Sequence, residues 1–402
     1  MQNRFLYFIL GISLAWLSAS LVYEKENPRP DFAHDYAAGL LIRTGHSKLI
    51  YSADQRPGAD PTAMPPEVLD MLRARGYNWS YITRFFSHPF YAIMMIPFSF
   101  LPYHLASTVF LALQIALIAL LVFYLFRQNG PQYTILGFAA ILLFYPTRYG
   151  FQVGQGSGFL LPIAGYFIMR PQKVLSQIAL SVGFLLKPSL LLLPLLFVTE
   201  RKWRGLLIFT GAWLLASLAA VITLGKGVFL QYISLVLERA SMLYIGADMQ
   251  SALAMLYRIF VGTSESSEIN TLFTPVPGYV AAGYYIWVGA VLALLAWRML
   301  RIADAVWRGN MLIIASLLVA PSVSVYCFAL LLIPLMFLII NRARPLSYIL
   351  AGAGFLIANL PRAYYTSGPL LRFLCINLFL GSILIFAGYL IGPEPSSASG
   401  GK

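Results

Sequence analysis

Long apolar runs separated by short basic breaks fill the chain from residue 89 to residue 392, and one long polar stretch precedes them. This stretch, residues 23–88, holds eight of the fifteen acidic residues and several prolines. Long apolar runs indicate helices in lipid, because a helix satisfies its own backbone polar groups where water is absent. The pattern therefore predicts an all-α, polytopic integral membrane protein. Its polar stretch is expected to be a folded extramembrane loop with interfacial helices.

The first apolar segment, Phe5–Val22, follows a short start that contains Arg4. Small residues at Ser18-Ala19-Ser20 resemble a signal-peptide cleavage site, which would remove this segment from the mature protein. The segment is long for the apolar part of a signal peptide, however, and long enough to cross a bilayer. We therefore interpret it as an anchoring first span, with the cleaved signal peptide as the alternative.

Clusters of basic residues mark the connectors between the later apolar runs: Arg127, Arg170–Lys173, Arg201–Arg204, Arg298–Arg308 and Arg342–Arg344. Such connectors are enriched on the cytoplasmic side of membranes. Between two cytoplasmic connectors the chain must cross the membrane an even number of times. The count predicts about 12 spans with both ends of the chain in the cytoplasm. The short apolar segment 89–102 would invert this orientation if it crossed alone, so we interpret it as interfacial or re-entrant.

Three predicted hairpins are interrupted by polar or glycine-rich breaks. The breaks lie at Lys187-Pro188, at Pro321-Ser322, and at Tyr145–Arg148 followed by Gly154–Gly158. Each half-hairpin is short, and a helix of about 13 residues reaches only about 20 Å. The apices are therefore expected below the outer headgroups, in a recessed site at the outer face of the membrane.

The predicted organisation is one transmembrane domain, residues 1–392, without a repeat or a soluble domain. Residues 23–88 and 224–277 form its first and second periplasmic loops, and residues 361–369 form a third outer loop. The tail, residues 393–402, is predicted to be disordered and cytoplasmic.

Composition agrees with a membrane protein and excludes several other classes. Hydrophobic residues make up 59% of the chain and charged residues 11%, and the mean hydropathy is +0.75. These values exclude a soluble globular enzyme, a disordered chain and a coiled coil. The net charge of +13 is attributed to the basic connectors, and no nucleic acid partner is expected. Two cysteines and four histidines show neither a disulfide framework nor zinc-binding spacing, so no metal site is predicted and no cofactor is required.

The candidate catalytic base is Asp31, which begins the polar loop just after the first apolar segment. A carboxylate close to hydrocarbon is costly and often functional, and burial would raise its pKa as suits a base. The alternative is that Asp31 is the N-cap of an interfacial helix. Asp35, one turn further on, is the alternate base, and the pair could bind a divalent cation weakly. His34 is interpreted as a solvated loop histidine.

The candidate phosphate ligand is Lys187, which interrupts an apolar run. Its ammonium either binds an anion or snorkels to the outer headgroups, and the same two interpretations apply to Arg148. Gln155 lies on the glycine-rich turn, which lacks the ending of a nucleotide-binding P-loop. In the second loop, residues 248–258 predict a short amphipathic helix. Its Arg258 either clamps a phosphate or pairs with Asp248.

Five groups of residues follow one another along the chain: Asp31-Phe32 with Tyr36-Ala37-Ala38, Gly45 and Leu49-Ile50-Tyr51; His88-Pro89-Phe90-Tyr91 with Pro97 and Leu101-Pro102; Gly154-Gln155-Gly156; Leu186-Lys187-Pro188 with Arg201-Lys202-Trp203-Arg204; and Met249-Gln250-Ser251 with Arg258. In this order they resemble the polyprenol-phosphate-mannose-dependent alpha-mannosyltransferases of glycosyltransferase family 87. The resemblance spreads over residues 1–340. It implies a GT-C fold with juxtamembrane helices in the first outer loop, and it implies a catalytic aspartate early in that loop, at the position of Asp31.

Two positions depart from the family pattern. Tyr326 stands after the Ser-Pro apex where the family usually carries a histidine, and Ser157 or Gly158 stands where an asparagine is usual in the glycine-rich turn. These departures leave the sugar and the handling of the acceptor open.

The sequence thus predicts an inverting glycosyltransferase that moves a hexose, first of all mannose, or a pentose. The expected donor is a polyprenyl-phosphate sugar, and the expected acceptor is a lipid or glycan at the periplasmic face. Asp31 is expected to be catalytic, and the expected substrate-binding residues are Asp35, Tyr36, Arg148, Gln155, Lys187, Gln250, Arg258 and Tyr326. The alternative is a polytopic transporter or lipid flippase, because broken helices with polar apices also suit alternating access.

Overall fold

The computed structural model describes residues 29–56, 63–80, 82–240, 242–244, 249–261, 273–341, 343–360 and 376–393, together with positions 11 and 15. The predicted first span is described only at those two positions, and the predicted third outer loop and positions 394–402 of the tail lie outside the described residues. The described chain is almost entirely helical, which confirms the all-α class. Its one sheet is a two-stranded antiparallel ribbon of Met242–Tyr244 and Phe273–Pro275.

The helices of the described chain fall into three groups along the sequence. The outer region before residue 103 contains short helices: Pro30–Arg43, Pro66–Arg73, Pro89–Met94 and Ile96–Ser99. The central region contains Tyr103–Phe126, Pro131–Leu143, Tyr145–Val153, Leu160–Met169, Val174–Leu186, Leu195–Thr199, Trp203–Leu224, Lys226–Ala240 and Ala252–Phe260. The last region contains Gly278–Met299, Ala305–Val319, Leu332–Ile340, Pro345–Ala358 and Asn377–Ile391.

Three of these helices are long and apolar enough to cross a membrane: Tyr103–Phe126, Trp203–Leu224 and Gly278–Met299. They expose large apolar side chains; Ile222 is 75% and Ile286 is 74% exposed. Such surfaces suit hydrocarbon rather than water, since large exposed apolar patches are rare on soluble monomers. Eight further apolar helical segments in the described chain have 10–17 residues. The count of about 12 spans therefore stays a prediction.

The segment 89–102 folds as two short helices, Pro89–Met94 and Ile96–Ser99. A helix of 6 residues is about 9 Å long at 1.5 Å per residue, which is too short to cross a bilayer. His88 begins the first of them, and its Nδ1 accepts a hydrogen bond from the Phe90 backbone amide at 3.2 Å.

The polar stretch has a buried core, as expected for a folded segment; its location outside the membrane stays a prediction. Helix Pro30–Arg43 is buried over most of its length. Phe32 packs against the rings of Tyr36, Tyr103 and Phe110 at centroid distances of 4.9–5.9 Å. Gly39 allows the neighbouring chain to approach, because a Cβ there would lie 2.5 Å from the Met95 carbonyl oxygen. The helix therefore rests directly on the short helices before the first long span.

The three predicted breaks occur as expected. Helix Val174–Leu186 ends at Lys187, which is extended (φ −162°, ψ 130°), because the following proline disfavours the helical region for the residue before it. Helix Ala305–Val319 ends at Ala320 for the same reason. Helix Tyr145–Val153 ends at Gly154, whose φ of 75° lies in the left-handed region that glycine adopts without strain.

The last two described helices pack unusually closely. Helices Pro345–Ala358 and Asn377–Ile391 face each other through Gly354 and Gly381, and a Cβ on either would lie 2.5 Å from the carbonyl oxygen of the other. Small residues let helix backbones approach in this way within membranes. Helix Asn377–Ile391 also packs on helix Ala305–Val319, which leads to one of the three breaks.

Candidate active site

Asp31 lies in the first turn of helix Pro30–Arg43, and Arg29 occupies the N-cap position. The interpretation of Asp31 as an N-cap is therefore wrong. An acid in the first turn is favoured by the helix dipole, and the carboxylate is half-buried. The guanidinium of Arg29 donates to Ser107 Oγ of helix Tyr103–Phe126 at 2.6 Å. The start of this helix is thus fixed against the first long span.

Gln155 connects Asp31 to Lys187. Its amide Nε2 donates to Asp31 Oδ2 at 2.6 Å, and its Oε1 accepts from Lys187 Nζ at 2.8 Å. Gly154 makes this approach feasible, because a Cβ at that position would lie 2.7 Å from Phe32 Cβ. One glutamine side chain therefore joins the outer-loop helix to the Lys187-Pro188 break.

Tyr326, which follows the Pro321-Ser322 break, contacts Lys187. Lys187 Nζ lies 3.9 Å from the centroid of the Tyr326 ring, which is cation–π geometry. The Tyr326 ring stacks on Tyr149, with centroids 6.4 Å apart and planes 7° apart. The ammonium thus points inward to Gln155 and Tyr326, so the snorkelling alternative does not describe Lys187.

Asp35 forms a second polar group one turn further along the helix. It is 2% exposed, and its Oδ2 accepts from the Tyr91 hydroxyl at 2.7 Å. Its Oδ1 lies 3.2 Å from His34 Nε2, and His34 Nδ1 lies 3.2 Å from Thr83 Oγ1. The interpretation of His34 as a solvated histidine is therefore wrong, because the ring is buried between these partners.

Burial raises the pKa of Asp31, and nearby His34, the Gln155 amide and Lys187 offset part of the rise. Burial alone would lower the pKa of His34, but the negative charge of Asp35 beside it, together with that of Asp31, outweighs burial and raises that pKa. A raised carboxyl pKa makes Asp31 a better proton acceptor than an exposed aspartate. Asp31 therefore lies close enough to His34 and Lys187 for the charges of both to lower its pKa.

A small cavity lies beside this group and is lined by Asp35, Ser87, Tyr91, Gln155, Gly156, Ser157, Leu186 and Lys187. It is the place where carboxylate, amide, hydroxyl and ammonium groups converge in the described chain. Such a set can hold an anionic group against the ammonium while a neighbouring carboxylate takes a proton. The described residues include no group of three or more metal ligands.

Other predicted substrate-binding residues lie around this centre. Gln250 is fully buried, and its backbone N–H donates to the Val323 carbonyl at 2.8 Å, so the second loop docks beside the Pro321-Ser322 break. Arg148 is half-buried in helix Tyr145–Val153, directly before the glycine-rich turn. Tyr36 is fully buried, and its hydroxyl donates to the Leu101 carbonyl at 2.7 Å, which is a packing role. Contact of these residues with a substrate stays a prediction.

The predicted helix in the second loop is present as Ala252–Phe260, and Ser251 caps it by accepting from the Ala254 amide at 3.2 Å. Arg258 lies buried in its last turn. The helix packs on Gly278–Met299. Asp248, one of the two alternatives for a partner of Arg258, lies outside the described residues.

Residues 85–325, more than half of the chain, match the sequence model of glycosyltransferase family 87. The chain belongs to glycosyltransferase family 87. No curated protein and no solved structure gives a significant match. Gln155, Lys187, Gln250 and Arg258 lie inside the region that matches. Asp31 and Asp35 precede this region, and Tyr326 directly follows it.

Membership identifies the chain as a glycosyltransferase and supports a sugar donor and a glycan or lipid acceptor. It argues against the transporter alternative. Two contributors to the site of this glycosyltransferase were not predicted as functional from sequence: His34 and Tyr91. Tyr91 lay in the His-Pro-Phe-Tyr motif, which was the available signal. Its partner Asp35 is 56 positions away, so only the fold shows the contact.

Proposed function

We propose that this protein is an inverting glycosyltransferase that moves a hexose, first of all mannose, or a pentose from a polyprenyl-phosphate sugar. The acceptor is a lipid or a glycan at the outer face of the inner membrane. The observation that carries the proposal is the connection Asp31–Gln155–Lys187, with bonds of 2.6 and 2.8 Å. It holds a base and a cation one amide apart, which is what a single displacement of a phosphate leaving group requires.

In the proposed step, an acceptor hydroxyl oxygen attacks the anomeric carbon of the sugar. The bond between that carbon and the phosphate oxygen breaks, and its electron pair leaves with the polyprenyl phosphate. The hydroxyl proton passes to the Asp31 carboxylate, whose raised pKa favours its uptake. Attack opposite to the leaving group inverts the anomeric configuration.

Lys187 neutralises the phosphate charge that develops during this step. Its ammonium is already held by Gln155 and Tyr326, and a preorganised cation stabilises developing charge without reorganisation. A phosphate needs little protonation to leave, so no separate acid is required. Arg148 or Arg258 is the proposed second cation at the phosphate.

A lipid-linked donor is favoured over a nucleotide sugar by the surroundings of the ammonium. Lys187 lies between two apolar helical segments, Val174–Leu186 and Pro188–Thr199. A membrane-embedded phosphate can reach such a break laterally with its tail in lipid. No P-loop is present in the sequence, and a periplasmic site would be remote from the cytoplasmic pool of nucleotide sugars.

The test is transfer by the purified protein in detergent. Radiolabelled polyprenyl-phosphate mannose and GDP-mannose are compared, each with a membrane lipid extract as the acceptor source. We expect a labelled glycolipid or glycan product from the first donor, with inverted anomeric configuration. Product from GDP-mannose alone, or sugar movement that requires sealed vesicles and forms no new glycosidic bond, would contradict the proposal.

A further inference from the structure

The cavity beside Lys187 contains a buried carboxylate that the proposed step does not use. Asp35 is 2% exposed, lines the cavity, and accepts one hydrogen bond, from Tyr91. Its Oδ1 forms an ion pair with His34 Nε2 at 3.2 Å, but this contact is not an aligned hydrogen bond, and Oδ1 has no such bond among the described residues. A buried acceptor of this kind is costly unless a donor arrives.

The size of the cavity restricts that donor. The space between Asp35, Tyr91, Gly156, Ser157 and Lys187 accommodates about one water-sized group. A Cβ on Gly156 would lie 2.6 Å from the Tyr91 hydroxyl oxygen, so even a methyl group would crowd it. A hydroxyl group fits this recess, whereas an acetamido group does not.

The position of the recess restricts which hydroxyl can enter. Lys187 and Asp35 line the same small space, so a phosphate bound by the ammonium lies next to the recess. In a sugar phosphate, the hydroxyl closest to the phosphate is that on carbon 2. Given the proposed function, on which this inference rests, we infer that Asp35 binds the 2-hydroxyl of the transferred sugar and selects donors that carry a free hydroxyl there.

The chemistry of the pair supports this assignment. A carboxylate accepts from a sugar hydroxyl with a charge-assisted bond, which is about twice as strong as a neutral one. Tyr91 occupies the other oxygen, and the ion pair of Oδ1 with His34 is not an aligned hydrogen bond, so Oδ1 can still accept from the sugar. A site built around such a bond rejects an analogue that lacks the hydroxyl, because the buried acceptor is then left unpaired.

The test is a thermodynamic cycle in which one change is made in the protein and the other in the sugar of the donor. Wild type and Asp35→Asn are assayed with polyprenyl-phosphate mannose, its 2-deoxy analogue and its 4-deoxy analogue, and kcat/KM is measured for each. We expect removal of the 2-hydroxyl to lower the wild-type value by about 10- to 100-fold more than it lowers that of Asp35→Asn. The comparison cancels the higher intrinsic reactivity of 2-deoxy sugars. The 4-deoxy analogue should affect both proteins equally.

Two further variants separate this role from a structural one. Asp54→Asn alters another buried carboxylate of the outer region, which pairs with Arg56, and it should respond to both analogues as wild type does. Gly156→Ala narrows the recess and should lose activity with mannose while losing little with the 2-deoxy donor. If Asp35→Asn does not fold, Gly156→Ala replaces it in the same comparison of donors.

The outcomes distinguish the two proposals. Equal effects of the 2-deoxy change on wild type, Asp35→Asn and Gly156→Ala would overturn the inference while transfer itself stands. Coupling to the 4-hydroxyl would overturn the assignment to carbon 2. Efficient use of a 2-acetamido donor by the wild type would overturn the size restriction. Absence of transfer from polyprenyl-phosphate mannose and from the corresponding glucose, galactose and arabinose donors would overturn the proposed function itself.

Discussion

Gln155 donates a hydrogen bond of 2.6 Å to Asp31, a residue 124 positions earlier in the chain. Because the same amide accepts from Lys187, its orientation is fixed by two charged neighbours of opposite sign. Reversing the amide would place NH₂ against ammonium and oxygen against carboxylate. The Gln155 side chain therefore separates the Asp31 carboxylate from the Lys187 ammonium while it bonds to both.

Asp31→Asn should abolish most of the transfer. The amide keeps the size and the contact with Gln155 but cannot accept a proton, so we expect turnover to fall by about 10²- to 10⁴-fold, with little change in the melting temperature. Turnover and thermal unfolding of the purified protein check this. If Asp31→Asn remained active and Asp35→Asn were inactive, the base would be Asp35; if both remained active, the proposed mechanism would fail.

Lys187→Ala should weaken use of the donor far more than use of the acceptor. Loss of one charged hydrogen-bonding group costs about 10- to 100-fold in kcat/KM for the donor. Lys187→Arg should retain part of the wild-type kcat/KM for the donor, because the positive charge is kept while its geometry changes. Steady-state kinetics with each substrate varied in turn provide the measurement. Lys48→Ala, at an exposed lysine, is the matched control and should behave as wild type.

His34→Gln should move the acidic limb of the pH profile to higher pH. Among the groups that lower the pKa of Asp31, His34 is the largest. Its removal therefore lets that pKa rise further, and the base is protonated over a wider acidic range. The measurement is kcat/KM against pH, compared with the wild type. Burial lowers the pKa of His88 to about 4. His88 is present in both proteins, so its titration contributes equally to the two pH profiles. An unshifted limb, or an equal shift in His46→Gln at an exposed histidine, would remove His34 from this role.

The same histidine predicts a stability trend. The folded-state pKa of His34 is raised, so its stabilising contribution is complete below its unfolded pKa of about 6.5 and is lost as the pH rises through the folded value. The melting temperature in detergent should therefore fall more steeply in this alkaline window for wild type than for His34→Gln. Parallel curves for the two proteins would show that the pair with Asp35 contributes nothing to stability.

Gly154→Ala should damage the site more than an ordinary glycine substitution does. Gly154 has a φ of 75°, and a Cβ would lie 2.7 Å from Phe32 Cβ and 2.8 Å from Arg29 Cβ, so Gln155 must move away from Asp31. Gly45 has a φ of 80° with open space around it, so Gly45→Ala carries only the cost of left-handed backbone, about 1–2 kcal/mol. We expect transfer to fall at least 10-fold in the first variant alone. Equal losses in both would mean that backbone strain alone is responsible.

Sequence patterns predicted the breaks in the helices because prolines and glycines act locally. Lys187 is extended since Pro188 follows it, and helix Tyr145–Val153 ends where Gly154 can turn left-handed. The polar residues at those breaks were therefore recognisable as candidates. The sequence also placed the apices in one recessed site, but it did not show which side chains pair there. Gln155 bonds to Asp31 across 124 positions, and only the packing of the fold determines that contact.

The burial of His34 and Asp35 is a second feature that the sequence did not predict. Helix Pro30–Arg43 carries small residues such as Ala33, Ala37 and Gly39 on several faces, so neighbouring elements pack around it. A helix surrounded in this way shows no clear polar face. The sequence therefore did not indicate that its polar residues are buried, and His34 was interpreted as a solvated loop residue. Which of them are paired inside depends on partners such as Tyr91 and Thr83.

The ring of Tyr326 over Lys187 has a consequence for how tightly a donor can bind. A free lysine side chain carries about 2 kcal/mol of rotamer entropy, which a substrate would ordinarily have to remove when it immobilises the ammonium. Here Tyr326, itself stacked on Tyr149, confines the side chain during folding. The entropy is therefore lost when the protein folds. Under the proposed function, a phosphate that arrives from the bilayer would meet a cation that is already oriented.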